Sequence, residues 1–181
     1  MDCPMDEIKV SVCFSRSNDW LGDAIRFFTG GDVNHAFLGW NDPHFGIPVA
    51  LGANPNGLTL SPYERFLKPP EQVMCVFEPP ASLWPGIRAL APMLDTPYDY
   101  GGLVGMSMVE LVHRALRRWI PNPWRSKLMF CSEYVRWVLK LSGLDPHGLD
   151  DVPVSSTDPA RLFKAISSDG RFKRLADTKL P

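Results

Sequence analysis

Most strand-like segments of this chain lie in its first half and most helix-like segments in its second half, and this order restricts the folds that are available. Short apolar segments lie within residues 8–77 and are separated by turn residues such as Gly, Pro and Asn. From residue 81 onward, the apolar residues recur mainly at helical spacing. We therefore predict an α+β fold in which a small antiparallel sheet is flanked by helices.

Individual elements can be placed along the chain. The pattern predicts a strand over 8–14, a helix beginning near residue 19, strands over 36–41, 47–53, 57–61 and 72–77, and helices over 82–94, 101–120, 131–141 and 156–166. In the first strand, Val12 and Phe14 face one side and Cys13 the other, which indicates a structural cysteine. The continuously apolar strand over 72–77 is typical of a central strand with Cys75 buried.

Two helix ends carry additional signals. Residues 61–64 (Ser-Pro-Tyr-Glu) predict a helix start with Ser61 as N-cap, Pro at the first position and a capping-box glutamate. Arg114, Arg117 and Arg118 cluster at the C-terminal end of the helix over 101–120. That cluster is interpreted either as a solvated helix end, where cations suit the helix dipole, or as a basic, amphipathic surface for anionic lipid or another polyanion.

Size, charge and cysteine content set broad limits on function. The chain of 181 residues is predicted to form one domain over 1–181, with its core at about 8–167. A net charge of −1 gives no electrostatic basis for binding nucleic acid. The four cysteines show neither metal-ligand spacing nor a disulfide framework. With no signal peptide or transmembrane run, the chain is expected to be cytoplasmic. We expect no metal and no cofactor. The sequence leaves the oligomeric state open.

Cys131 is the first candidate for chemistry. It stands at the beginning of the predicted helix over 131–141, where unpaired backbone N–H groups and the helix dipole favour a thiolate. The alternative is an inert buried cysteine. His35 precedes the strand over 36–41 and is the candidate base, because a thiol needs an imidazole or a cation nearby to act as a nucleophile. A surface or capping histidine is the alternative interpretation.

Four segments together resemble a known family, the circularly permuted papain-like hydrolases related to NlpC-type peptidases and lecithin:retinol acyltransferase-like enzymes. The segments are residues 19–30, 35–38, 96–103 and 130–135, in that order. The resemblance implies a permuted papain-like fold with the histidine strand before the cysteine helix. It also implies that Cys131 is the nucleophile and His35 the base. Tyr98 and Trp20 are then candidates for lining the substrate pocket, although both could equally be core aromatics.

The sequence departs from the family at the third catalytic position. The family usually places a polar residue on the strand after the histidine strand, but the strand over 47–53 has no polar side chain. Asn54, at its end, is the candidate for orienting His35. His44 and Asp42, in the preceding loop, are alternatives. Asn54 could also be only a turn residue, since Asn-Pro-Asn-Gly is typical turn chemistry.

The resemblance implies thiol chemistry at a carbonyl group. The expected activity is hydrolysis or acyl transfer at an amide, ester or thioester, with peptidoglycan peptides, isopeptides or acyl lipids as candidate substrates. The alternative is a binding or inhibitory protein with a weak or inactive centre on the same fold, such as a phage or mobile-element accessory protein. The missing polar residue on 47–53 favours that alternative.

Overall fold

Most strands lie before residue 80 and most helices after it, as the sequence predicts. A computed structural model describes residues 8–18, 20–67, 69–117, 120, 123, 129–176 and 180, without the side chains at positions 20, 21, 24, 103, 107, 110 and 114. The strands are β1 (Ser11–Arg16), β2 (His35–Asp42), β3 (Ile47–Asn54), β4 (Gly57–Pro62), β5 (Gln72–Glu78) and β6 (Lys173–Arg174). They form a six-stranded sheet of order β4-β3-β2-β1-β5-β6. All neighbouring strands are antiparallel. The predicted α+β class is confirmed.

Six helices surround this sheet within the described ranges. They are α1 (Trp20–Thr29), α2 (Tyr63–Phe66), α3 (Trp84–Leu90), α4 (Tyr100–Leu116), α5 (Cys131–Leu141) and α6 (Pro159–Ser168). Short 3-10 turns cover Ala91–Met93 and Val154–Ser156. None of the helices in the described part of the chain is long and apolar enough to cross a membrane.

Both faces of the sheet are covered, as the pattern of β1 predicts. Val12 and Phe14 belong to the main buried cluster, together with Val135 on α5. Cys13 belongs to a second cluster on the other face, with Phe37, and its side chain is fully buried. The inference that Cys13 is structural rests on this alternation, and its burial agrees with that role.

Helix α5 is held in place by a close approach of α3. A Cβ atom at Gly86 would collide with the backbone carbonyl of Val138, so only glycine allows the two helices to lie this close. The backbone N–H of Gly86 also donates to Ser142 Oγ at 3.1 Å. On its other side, α5 packs against β2 and β3. This packing brings the first residue of α5, Cys131, to the sheet.

Three sequence predictions about strands are corrected. The first strand runs over Ser11–Arg16 rather than 8–14, because its pairing with β2 begins at Ser11. Strand β5 is second from the edge and not central, although Cys75 is buried as expected. The proposed N-cap Ser61 is wrong, because Ser61 pairs with Ala50 inside β4 and the short helix α2 has no side-chain cap.

Two predicted helices are shorter than expected. The predicted helix over 82–94 is divided into α3 and the 3-10 turn at Ala91–Met93, which contains a proline. Helix α4 ends at Leu116 because Arg117 adopts a left-handed conformation with φ of 54°. Its start is fixed by Asp99, whose side chain accepts a hydrogen bond from the Gly102 N–H. The sequence predicts that this helix continues to residue 120, and residues 118 and 119 of that predicted part lie outside the described ranges.

Candidate active site

A cleft of about 320 Å³ lies at the end of the sheet where β2 begins and β3 ends. Four residues that the sequence singled out line it: Cys131, His35, Asn54 and Tyr98. Further lining residues that the sequence did not predict include Glu71, Arg65, Phe66, Ile25 and Pro55. Trp20, the other predicted pocket residue, begins α1, but its side chain lies outside the part of the structure that is described.

Cys131 is the first residue of α5, and its side chain is 1% exposed. Burial raises the pKa of the Cys131 thiol above its usual value, and this outweighs the hydrogen bonds that act in the other direction. Those bonds come from the backbone N–H groups of Ala36 and Ser132 and from the side chains of Tyr98 and Ser132. Burial therefore favours the thiol form of Cys131, while the donors that would stabilise a thiolate already surround the sulfur.

Tyr98 contributes its hydroxyl group directly beside the sulfur. That hydroxyl donates to Cys131 Sγ and accepts a hydrogen bond from the backbone N–H of Cys131. Burial, and secondly the neighbouring Cys131, raise the pKa of Tyr98 well above its usual value. Tyr98 therefore stays a neutral phenol, and a hydrogen-bond donor, across the physiological pH range.

His35 opens β2, and both of its ring nitrogens face acceptors. Nδ1 lies 2.7 Å from Glu71 Oε1, and Nε2 lies 3.1 Å from the backbone oxygen of Ala53. The ring stacks on Phe66, with 5.6 Å between centroids and 10° between planes. An imidazole satisfies two acceptors at once only when both nitrogens carry a proton. The surroundings thus favour the imidazolium form, whose charge the Glu71 carboxylate balances.

Glu71 is the residue that sequence reasoning missed. It lies just before β5, and the hydroxyl of Ser15 on β1 donates to its Oε1 at 2.5 Å. Ser15 also pairs with His35 across β1 and β2, so the order β2-β1-β5 brings Glu71 to the histidine. The local sequence Pro-Pro-Glu-Gln gives no sign of this role. A signal emerges only once β1 is placed between β2 and β5.

The prediction that Asn54 orients His35 is wrong. Its side-chain oxygen accepts from the Asn56 N–H at 2.9 Å, and its side-chain nitrogen donates to Thr59 Oγ1 at 3.0 Å. These are the bonds of a turn residue, which was the alternative interpretation. Strand β3, which has no polar side chain over 47–53, contacts His35 through its backbone instead. The backbone oxygen of Ala53 accepts a hydrogen bond from His35 Nε2.

The two loop alternatives for the orienting role are also excluded by position. Asp42 is the last residue of β2 and His44 follows it, whereas His35 is the first residue of that strand. Asp42 Oδ1 accepts hydrogen bonds from the backbone N–H groups of His44 and Phe45. It therefore closes the turn between β2 and β3, at the far end of the strand from the cleft.

Comparison with known proteins adds little to this geometry. No family model matches the chain, and no curated protein matches it. Among solved structures, it is similar to the metalloprotein YiiX from Escherichia coli O157:H7, with a TM-score of 0.49 and 13% identity over 97% of this chain and 99% of that chain. Within the described ranges, no three or more His, Cys, Asp or Glu side chains come close enough together to hold a metal ion. The site is therefore interpreted from its own residues.

The Tyr98 hydroxyl provides a first test of the site. Tyr98→Phe keeps the ring but removes a donor to the sulfur, so the pKa of Cys131 should rise further. We expect alkylation of Cys131 by iodoacetamide at neutral pH to slow by about tenfold, since a hydrogen bond to a charged group contributes roughly 1.5–3 kcal/mol. Mass spectrometry of the labelled peptide measures the rate.

Tyr100→Phe is the matched control for that experiment. The Tyr100 hydroxyl donates to the Pro55 backbone oxygen at 3.4 Å, and its ring packs on Tyr98 at 4.9 Å. This variant should alkylate at the wild-type rate. Equal rates for Tyr98→Phe and the wild type would show that the Tyr98 hydroxyl does not stabilise the thiolate.

Proposed function

We propose that this chain is a cysteine hydrolase or acyltransferase acting on an amide, ester or thioester bond. The observation that carries the proposal is that the Cys131 thiol, the His35 imidazole and the Glu71 carboxylate line one cleft. A histidine oriented by a carboxylate, near a cysteine at a helix start, is an arrangement suited to nucleophilic catalysis. The resemblance to permuted papain-like hydrolases supports the same chemistry, with Cys131 as nucleophile and His35 as acid and base.

In the proposed reaction, the Cys131 thiol first loses its proton to solvent, which leaves a thiolate together with the His35 imidazolium. Sγ bonds to the substrate carbonyl carbon, and the carbonyl π electrons move to its oxygen. As the tetrahedral intermediate collapses, the bond to the leaving group breaks and the proton on His35 Nε2, which faces the Ala53 oxygen in the structure, passes to that group. The products of this half-reaction are a thioester on Cys131 and a neutral imidazole.

The second half-reaction restores the site. Water attacks the thioester carbonyl and gives a proton to His35, and the C–S bond breaks to release a carboxylic acid and regenerate the thiolate and imidazolium. An alcohol or amine in place of water would make the same site an acyltransferase. Glu71 holds the imidazole in position throughout and balances the charge of its protonated form.

The backbone N–H of Cys131 and the Tyr98 hydroxyl would stabilise the oxyanion of the intermediate. These two groups hydrogen-bond to each other beside the sulfur. A carbonyl oxygen that enters between them would accept from both. Because burial raises the pKa of Tyr98, its hydroxyl stays protonated and available as a donor near neutral pH.

The cleft restricts the size of the reacting group more than its identity. A volume of about 320 Å³ is at the small end of ligand sites, which suits one side chain or a short acyl group. Phe66 and Ile25 supply apolar walls, while Arg65 and Asn56 add polar groups. Peptide, amide and acyl substrates all fit this mixture.

Thiol labelling tests the proposal without a known substrate. We expect iodoacetamide to alkylate Cys131 faster than Cys75 or Cys13 in the folded protein, and His35→Ala to slow that reaction. Burial raises the pKa of all three thiols, but of the three only Cys131 lines the cleft that His35 also lines, so only Cys131 should be activated by the imidazolium. Since burial raises the pKa of Cys131 above the usual thiol value of about 8.5, its alkylation rate should keep rising with pH beyond about pH 8.5.

Thioester formation supplies the second readout. Incubation with p-nitrophenyl acetate should acetylate Cys131, detectable as a hydroxylamine-sensitive mass increase that Cys131→Ser lacks. The two outcomes together decide the proposal. If Cys131 reacts no faster than Cys75, is indifferent to His35→Ala and forms no thioester, the Cys–His pair is not activated.

A second candidate function is a binding or inhibitory protein on the same fold. The observation that favours it is that Cys131 is 1% exposed and both His35 nitrogens already face protein acceptors. A site of this kind could be a closed remnant of a catalytic centre. Failure of both labelling and acetylation in the folded protein is the result that would favour this second function.

A further inference from the structure

The hydroxyl of Ser15 bonds to the same carboxylate oxygen that faces His35. Ser15 is the next-to-last residue of β1, and its side chain is fully buried. Its Oγ donates to Glu71 Oε1 at 2.5 Å, and that oxygen lies 2.7 Å from His35 Nδ1. Ser15 Oγ itself lies 3.5 Å from the same ring nitrogen. Three polar side chains therefore meet at one carboxylate oxygen.

Ser15 is held more rigidly than the carboxylate to which it donates. It pairs with His35 on one side of β1, and β1 lies between β2 and β5. Glu71 precedes β5, and its long side chain can adopt many rotamers. A donor on a strand that is paired on both sides limits the positions open to Glu71 Oε1, and through that oxygen the orientation of the imidazole.

A β-bulge in β5 brings Glu71 to this serine. The pairing of β1 with β5 shifts register between Phe14 and Ser15, so Ser15 pairs with Val73 and Met74 is left as the extra residue. In a regular ladder Ser15 would pair with Met74, and Glu71 would point to the opposite face of the sheet. With the bulge, Glu71 lies two positions before Val73 and shares the face of Ser15.

The packing of β5 agrees with this bulge. Val76 is buried in the second cluster with Cys13 and Phe37, and Val73 packs against the same cluster. Residues three apart in a regular strand point to opposite faces, so an extra residue between Val73 and Val76 is needed to bring both to one face. Bulges of this kind re-aim side chains next to active sites.

We propose that Ser15 is a positioning residue of the candidate active site. Its hydroxyl holds Glu71 Oε1 at His35 Nδ1, and the bulge at Met74 places the carboxylate within its reach. Ser15 acts through Glu71 and His35, because it is fully buried and is not among the described residues that line the cleft. This inference rests on the function proposed above for the cleft.

The kinetics of acetylation by p-nitrophenyl acetate test the proposal with the full chain. We expect Ser15→Ala to lower the limiting rate of the p-nitrophenolate burst about tenfold, because a charge-assisted hydrogen bond that fixes the carboxylate is lost. The ester concentration that gives half of this rate should change by less than about twofold, since Ser15 does not contact the substrate. A purely structural role would instead lower the melting temperature and leave the limiting rate of the folded variant unchanged.

Ser11→Ala is the matched control. Ser11 lies on the same strand and is also fully buried, but its hydroxyl has no hydrogen-bond partner within the described part of the chain. This variant removes the same group from β1 without touching Glu71. It should show the wild-type burst, and thermal melting checks that both variants are folded.

Proton NMR reports on the same hydrogen bond without a substrate. A ring N–H that donates to a carboxylate resonates far downfield of the backbone amides, and His35→Ala identifies the signal of His35. We expect this signal to broaden or disappear in Ser15→Ala, because a less constrained carboxylate lets the ring proton exchange faster with water. In Ser11→Ala the signal should be unchanged.

The proposal is overturned if Ser15→Ala keeps the wild-type limiting rate, if Ser11→Ala slows the burst equally, or if the His35 signal is the same in Ser15→Ala and the wild type. Failure of the proposed function gives a different result, since the wild-type protein would then form no acetyl-enzyme. In that case the His35 signal alone decides whether Ser15 holds the pair of Glu71 and His35.

Discussion

Replacing Glu71 by glutamine is expected to slow acetylation of Cys131 at least about 100-fold, while the protein stays folded. Glutamine has almost the same shape but no charge, so it cannot balance the imidazolium form of His35, from whose Nδ1 the carboxylate lies 2.7 Å away. Loss of the carboxylate that orients a catalytic histidine costs about 10⁴-fold in the serine protease triad. The burst of p-nitrophenolate from p-nitrophenyl acetate gives the acetylation rate.

The matched control for Glu71→Gln is Asn54→Ala. Asn54 also lines the cleft, but its side chain bonds to Asn56 in the adjacent turn and to Thr59 on β4. We expect this variant to retain the acetylation rate within about threefold, as is usual for a residue outside the reacting group. If Asn54→Ala were as slow as Glu71→Gln, or if Glu71→Gln were unchanged, Glu71 would not be the residue that positions His35.

Replacing Arg136 by alanine should destabilise the protein more than any other single change considered for this chain. Arg136 lies on α5 with 1% exposure, and its guanidinium donates to five acceptors. They are two oxygens of Asp145, the backbone oxygens of Leu149 and Val152, and Thr157 Oγ1. These bonds attach the loop between α5 and α6 to the helix that carries Cys131.

Removal of this side chain leaves buried acceptors unpaired. Breaking a buried charge pair typically costs about 3–5 kcal/mol, and we expect a loss of that size in the free energy of unfolding by urea. For a chain of this length the melting temperature should fall by roughly 10 °C. Lys9→Ala is the control, because Lys9 pairs with Glu78 at the surface and should change stability by less than about 1 kcal/mol. If Arg136→Ala lowered the free energy of unfolding by less than about 1 kcal/mol, the hydrogen bonds of Arg136 would not stabilise the fold as proposed.

The elements that the sequence predicts well are those with strong local signals. Helix α5 has the predicted bounds because apolar residues at helical spacing end at Ser142-Gly143. The alternation in β1 is also a local signal, because successive side chains of a strand point to opposite faces of the sheet. It places Val12 and Phe14 on one face and Cys13 on the other.

Predictions that depend on neighbouring strands fared worse. The segment around Ser61 has every local feature of a helix start, but the hydrogen bonds of β3 draw it into β4. The run over 72–77 is as apolar as a central strand, yet β6, with two residues, is its only partner besides β1 among the described strands. Local propensity is a small term compared with the pairing and burial of a whole strand.

The candidate site divides in the same way. Cys131 and His35 can be picked out from the sequence because each stands at the start of an element whose boundary is locally encoded. The partner of His35 cannot be picked out, since Asn54 and Glu71 both lie at strand ends and differ only in what lies beside them. Asn54 bonds within its own turn, while the β2-β1-β5 order places Glu71 next to the imidazole. Short-range bonds need only neighbouring residues, whereas this carboxylate reaches His35 through a strand order that forms only when the whole sheet assembles.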